Sequence, residues 1–283
     1  MGFLKSLFSG KVETAEEQKQ NEDQRKFDIL KFDGVKALKM HQMEQAERCF
    51  TAALEIKNDL ETHDYLSQVF IQSGQLELAM QELNLLQRNE PDNQQLLMRM
   101  VQVAYMMENY PLMEQLCQQA TAIEGSSDMF YYMHARAKQG MNQPEEALNL
   151  VEQALSKNEN SLDARLLKVE LLLSMGKNAE ALAETQWLTE RLPDNEEVLM
   201  LKAQALQANA HTEQAIETYG QVIELNPFSA QAYNQRAQLR KAIGDEAGAA
   251  EDLQEASLIQ PDGNVEDIEQ QMNQTYKDAN PFG

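Results

Sequence analysis

The chain has 283 residues, 42% of them apolar, which is enough to bury a core and excludes wholesale disorder. Its 46 acidic residues against 24 basic ones give a formal charge of -22, a balance that makes nucleic acid a poor partner and argues against broad adhesion to anionic lipid. Cys49 and Cys117, each within an apolar helical run, form neither a disulfide framework nor a CxxC metal site, and fit a reducing, cytoplasmic location.

Residues 1–26 open the chain. Phe3, Leu4, Leu7 and Phe8 fall on one helical face with Lys5 and Lys11 nearby. Such a segment is a docking candidate, with three destinations open: a membrane surface, a partner, or the first repeat. It lacks the leading charge and small-residue cleavage pattern of a secretory signal. No stretch of the chain approaches the roughly 18 uninterrupted apolar residues of a spanning helix. Residues 10–26, rich in Glu, Gln and Lys, read as a linker or a frayed helix.

From residue 27 onward a period governs the chain. Pro193, Pro227 and Pro261 are 34 residues apart, with Pro91 three such steps before Pro193. Ala147, Ala181, Ala215 and Ala249 share that spacing, and Gly74, Gly176 and Gly244 fall on the same lattice. A fixed period of this length signals stacked supersecondary units. Within one unit, Val198, Leu199, Ala203 and Leu206 form a helical stripe on 196–207, and Ala215, Ile216, Tyr219, Val222 and Ile223 form another on 213–225. Asn209-Ala210-His211-Thr212 interrupts them, and Asn226-Pro227 ends the second, since proline cannot continue a helix. Small residues such as Ala203 and Ala215 let the two helices of a hairpin approach closely.

These residues resemble the tetratricopeptide repeat, whose 34-residue pattern places an aromatic, a Gly or Ala, a second Ala and a closing Pro at set positions. The 230–263 unit carries Tyr233, Ala237, Gly244, Ala249, Leu253, Ala256 and Pro261 in those places. Six others precede it: 27–59, 60–93, 94–127, 128–161, 162–195 and 196–229, the first being one residue short. The 94–127 unit is the weakest, with Met113 where the family has alanine, a bulk expected to open that hairpin or alter the local superhelix. The resemblance implies an all-α superhelix, or solenoid, of tandem helix-turn-helix hairpins. Residues 264–283 follow as a capping helix, with Val265, Ile268, Met272 and Tyr276 on one narrow stripe, and a loose tail.

Chemistry is not advertised. His41, His63, His134 and His211 fall in different units, and there is no nucleophile elbow, P-loop or HExxH motif. The expectation is a non-catalytic protein without cofactor or metal. The resemblance implies instead a scaffold whose first helices line a groove for a peptide or partner helix. By the family's geometry the groove takes Met98, Gln102, Tyr105, Met129, Tyr132 and Arg136, with Arg99 beside them. Asn234, Gln238 and Lys241 are further polar candidates in the last unit. Eight of the 15 methionines lie between Met98 and Met141, which suits either an adaptable contact surface or the packing of irregular helices. A self-associating or assembly-linked scaffold, tethered to a membrane surface by its N-terminal segment, is the alternative. Lys31 matches one groove position of the chaperone-tail adaptors, but Val35 stands where they have asparagine, so that subclass is not expected.

Overall fold

The computed structural model describes residues 14–260; the N-terminal docking candidates Phe3, Leu4, Leu7 and Phe8 and the expected cap at 264–283 lie outside them. Among the described residues there are fourteen α-helices and no strand. The chain divides into two compact units, Met1–Gln143 and Pro144–Gly283.

The first unit holds α1 (Ala15–Lys39), α2 (Met43–Ile56), α3 (Leu60–Gln72), α4 (Leu76–Asn89), α5 (Gln94–Met106), α6 (Tyr110–Thr121) and α7 (Asp128–Gly140). The second holds α8 (Pro144–Lys157), α9 (Leu162–Ser174), α10 (Asn178–Arg191), α11 (Glu196–Ala208), α12 (Thr212–Leu225), α13 (Ala230–Ala242) and α14 (Glu246–Ile259). From α3 onward the first helices begin at residues 60, 94, 128, 162, 196 and 230, one at each 34-residue step.

The lattice has a local cause at five of these boundaries, while Ser229 before α13 makes no side-chain cap bond. Asp59, Asn93, Ser127, Ser161 and Asn195 each precede a first helix, and each side chain accepts a hydrogen bond from a backbone N–H of the opening turn. That satisfies donors the helix itself leaves open. Each turn inside a hairpin passes through one left-handed residue. Gly74, Gly176 and Gly244 do so at φ 74°, 70° and 85°, but His41, Glu108, Asn142 and Ala210 do so without glycine, at φ 55°, 53°, 59° and 58°. The second helices α4, α10 and α12 stop two residues before Pro91, Pro193 and Pro227.

Residues 15–26, read as a linker or frayed helix, form the first three turns of α1. Thr14 and Glu17 close a capping box there, Thr14 accepting from the Glu17 N–H while the Glu17 carboxylate accepts from the Thr14 N–H.

Core positions follow the alanine lattice: Ala46, Ala79, Ala147, Ala181, Ala203 and Ala215 are fully buried. Met113 is fully buried as well, in a cluster with Leu97, Met100 and Cys117. The bulk that was expected to open this hairpin is taken up inside its core. Among the eight clustered methionines, Met100 and Met113 are buried, and Met98, Met107, Met133 and Met141 pack partly buried against the same cluster. Most of that stretch is therefore packing, and only Met106 and Met129 are exposed.

Candidate functional site

In the first unit, α5 and α7 present the expected groove positions. Tyr105, Met106 and Met129 are 37%, 52% and 38% exposed, Gln102 is exposed, and Met98, Tyr132 and Arg136 are half-buried. The structure joins two of these directly. Arg136 Nη2 of α7 donates to the Tyr105 hydroxyl of α5 at 2.6 Å, while its guanidinium lies 5.6 Å from the centre of the Tyr105 ring. A third contact, from Arg136 Nη1 to the Gln139 side chain at 3.3 Å, fixes the fork from its own helix.

Arg99 has a different task. It pairs with Asp64 of α3, which also accepts from Gln68 at 2.9 Å. One step earlier, Lys31 of α1 donates to Asp59 at 2.8 Å and Glu61 at 2.7 Å. Lys31, Arg99 and Arg136 thus each bridge consecutive first helices or the cap between them, leaving this face rich in exposed aromatic and thioether surface. The Lys31 pair shows in its electrostatics. Burial alone would lower the Lys31 ammonium, but the bonds to Asp59 and Glu61 outweigh it and raise its pKa. Burial would likewise raise Asp59, and the bonds from Lys31 and Thr62 lower it on balance; Glu61 is lowered chiefly by Lys31.

Two of the four histidines, His63 and His134, face carboxylates. His63 Nδ1 lies 2.5 Å from Glu82 and its Nε2 2.8 Å from Asn58. His134 is buried, 3.6 Å from Glu114, whose carboxyl is held below its usual range chiefly by Lys138 at 2.8 Å. Burial pushes the Cys117 thiol up to about 12, the Glu114 charge adding to it. Among the described residues no three His, Cys, Asp or Glu side chains are grouped to hold a metal ion, and no helix is long and apolar enough to cross a membrane.

In the second unit, Asn234, Gln238 and Lys241 stand exposed on α13. A separate cavity of 560 Å³ lies among α9, α11 and α13, lined by Glu170, Glu197, Met200, Gln204 and Gln231. These occupy the same repeat positions as the groove candidates of the first unit, so extending the positional rule to the later repeats would have found them. Ion pairs brace the hairpins here. Arg165 and Lys168 of α9 both reach Glu184 of α10 at 2.8 Å, and the Trp187 ring lies between the Arg165 and Arg191 guanidiniums at 3.8 and 3.6 Å. Arg236 and Arg240 of α13 converge on Asp252 of α14 at 2.6 and 3.0 Å.

Two tetratricopeptide-repeat family profiles match the chain, at residues 139–205 and 200–264. Tetratricopeptide repeat protein 36 of Mus musculus is 57% identical over 45 residues, 16% of this chain and 24% of that protein. The Homo sapiens protein of that name is 57% identical over 42 residues, 15% of this chain and 22% of its own. The match thus spans about a quarter of the length of these relatives. Among solved structures, a tetratricopeptide repeat protein from Parabacteroides merdae aligns with a TM-score of 0.68 at 16% identity, covering 85% of this chain and 96% of that one. PilF of Pseudomonas aeruginosa aligns at 0.58 and 20% identity, covering 77% and 99%. YrrB, described as a TPR protein with an unusual peptide-binding site, aligns at 0.52 and 21% identity, covering 65% and 95%. With helix pairs recurring at 34-residue steps along the described chain, these matches identify an all-α solenoid of the tetratricopeptide-repeat family.

Proposed function

We propose that this protein is a non-catalytic scaffold that binds a peptide or helix of another protein along the face formed by its first helices, without a cofactor and in the cytoplasm. The observation that carries this reading is the exposure of Tyr105, Met106 and Met129 on α5 and α7, beside an arginine already fixed in place. Tyrosine and arginine are favoured at binding hot spots because a pre-positioned aromatic or guanidinium loses little freedom on contact. Met106 and Met129 add apolar surface that adapts to an irregular partner. That YrrB is described with a peptide-binding site supports the same use of the fold.

The test is crosslinking in the native cell followed by mass spectrometry, with the intact chain beside a Tyr105→Ala/Tyr132→Ala/Arg136→Ala variant. Loss of a crosslinked partner with the variant supports the reading. Retention of every partner by a folded variant sinks it.

A second reading, self-association, has its own observation. Ile29 and Phe32 on α1 and Met40 at its C-terminal cap are 60%, 69% and 57% exposed. Light scattering that reports a monomer at micromolar concentration, unchanged by Phe32→Ser, removes it. The membrane tether through residues 1–11 rests on Phe3, Leu4, Leu7 and Phe8 alone and is tested by fractionation of a chain lacking them.

A further inference from the structure

Repeats of one period invite comparison of the same position in successive hairpins. Arg165 and Lys168 of α9 recur 34 residues later as Leu199 and Lys202 of α11, and again as Tyr233 and Arg236 of α13. Opposite them, on the second helix, stand Glu184, Thr218 and Asp252 at the same spacing. In the outer two hairpins a carboxylate meets two cations: Glu184 binds Arg165 and Lys168, and Asp252 binds Arg236 and Arg240. The second hairpin of the chain keeps the device in reduced form, with Glu82 on His63.

The α5–α6 and α7–α8 hairpins have Leu116 and Leu150 at that position, and the α11–α12 hairpin keeps the cation Lys202 without a carboxylate opposite it. Thr218 is buried and donates its hydroxyl to the Gln214 carbonyl at 2.8 Å. Lys202 is half-buried and makes no hydrogen bond or ion pair among the described residues. It lines an open groove of 840 Å³ between α10 and α12. Leu199 and Leu206 floor this groove, and Leu182 and Leu225 line its sides. Glu190, Asp194 and Glu224 gather at one end.

This is a different face from the one carrying the proposed groove. Lys202 lies about 200° around α11 from Met200, which lines the cavity among the first helices. From Leu182 to Glu190 the groove runs about 12 Å along α10 at the helical rise and continues past its end to Pro193 and Asp194, enough for at least about two turns of helix or four residues of extended chain.

We propose that this groove binds a short segment of another protein that carries a carboxylate set between apolar side chains. The carboxylate pairs with Lys202 from the groove side and supplies the counter-charge that Glu184 and Asp252 give its counterparts in the flanking hairpins. The apolar side chains cover Leu182 and Leu225, which otherwise face water. A basic residue of the segment meets Glu190, Asp194 and Glu224 at the end of the groove, which fixes its direction. Charge complementarity of this kind contributes more to specificity and register than to raw affinity, with the leucines supplying the apolar contact.

The test uses the full chain and a phage-displayed library of 12-residue peptides. Recovered peptides are synthesised and titrated by fluorescence anisotropy against the native chain, Lys202→Met, and Thr218→Asp, which offers Lys202 an internal carboxylate. Circular dichroism confirms that each variant is folded, and either folded variant suffices. The expected result is a set of peptides with Asp or Glu between apolar residues, weakened at least about tenfold by either substitution, as loss of a charge-assisted bond entails. Tyr105→Ala leaves their affinity unchanged, which separates this site from the first-helix face. The proposal is overturned if the library returns no such peptides, or if those it returns bind both folded variants as tightly as the native chain.

Discussion

Arg136 and Tyr105 are 31 residues apart in sequence, yet the arginine both donates to the tyrosine hydroxyl at 2.6 Å and lies over its ring. The contact ties α7 to α5 at the edge of the exposed Met106 and Met129 surface. Tyr105→Phe keeps the ring and removes only the hydroxyl. It should lower stability by no more than about 1 kcal/mol, because the pair is partly exposed and water replaces the lost acceptor. Urea unfolding at neutral pH measures this. A larger loss would mean that the bond braces the repeat instead of orienting a contact surface.

Gly34 packs against Phe50, and a Cβ at residue 34 would lie 2.6 Å from the Phe50 Cε1. Phe50 is fully buried and stacked on Tyr65 with ring centroids 5.5 Å apart, so it has little room to turn aside. Gly34→Ala should therefore destabilise the first hairpin by about 1–3 kcal/mol despite the better helix propensity of alanine. Hydrogen exchange in α1 and α2 should rise while α5 and α6 keep their protection.

The Asp252 side chain is 3% exposed and pairs with Arg236 and Arg240 together. Asp252→Ala leaves Arg236 without its counter-charge and Arg240 with only Asp245 at 3.7 Å, and should cost about 3 kcal/mol. The loss should appear as an earlier unfolding step at α13 and α14, because neighbouring repeats couple only through their shared surfaces. A chemical melt followed by hydrogen exchange resolves it. Unchanged protection there would show that the pair merely fills space.

Ala210 holds φ 58° at the turn where the neighbouring hairpins have Gly176 and Gly244. A Cβ in that conformation is strained by about 1–2 kcal/mol, partly offset by the greater freedom glycine has when unfolded. Ala210→Gly should raise stability by about 0.5–1 kcal/mol, read as a higher thermal midpoint. A lower midpoint would show that the turn carries no strain.

Asp59, Glu61 and Glu114 are all held below their ordinary values of 3.8, 4.5 and 4.5. For Glu61 and Glu114 the leading cause is a lysine bond, from Lys31 and Lys138; for Asp59, burial opposes the shift and the Lys31 and Thr62 bonds overcome it. A carboxyl that titrates lower when folded adds stability that is complete above its ordinary value and lost as pH falls through its folded one. The first unit should therefore hold its full stability at pH 6 and lose it progressively below about pH 4.5. Denaturation midpoints across pH 3–7 should show that slope, and Lys31→Met should flatten it. A slope that survives both Lys31→Met and Lys138→Met would assign acid sensitivity elsewhere.

What the sequence determined by itself is whatever repeats locally. The 34-residue step, the alanines that let helices meet, and the prolines beyond the second helices all act through the backbone within a few residues of themselves, so their spacing reads directly as helices and turns. The cap residues Asp59, Asn93 and Ser127 belong to the same class, since each stands one residue before a 34-residue step and bonds only to the turn that follows it. Only the tertiary structure decided what each side chain does once helices 30 residues apart are set side by side. It turned most of the methionine cluster inward, committed Arg99 to Asp64 and Arg136 to Tyr105, and left Lys202 facing a groove where Lys168 and Arg236, its counterparts in the flanking hairpins, find a carboxylate. Periodicity tells which face a residue occupies. Whether that face meets a neighbour, a counter-charge or open water depends on rotamers and partners contributed by other repeats, and no local pattern encodes them.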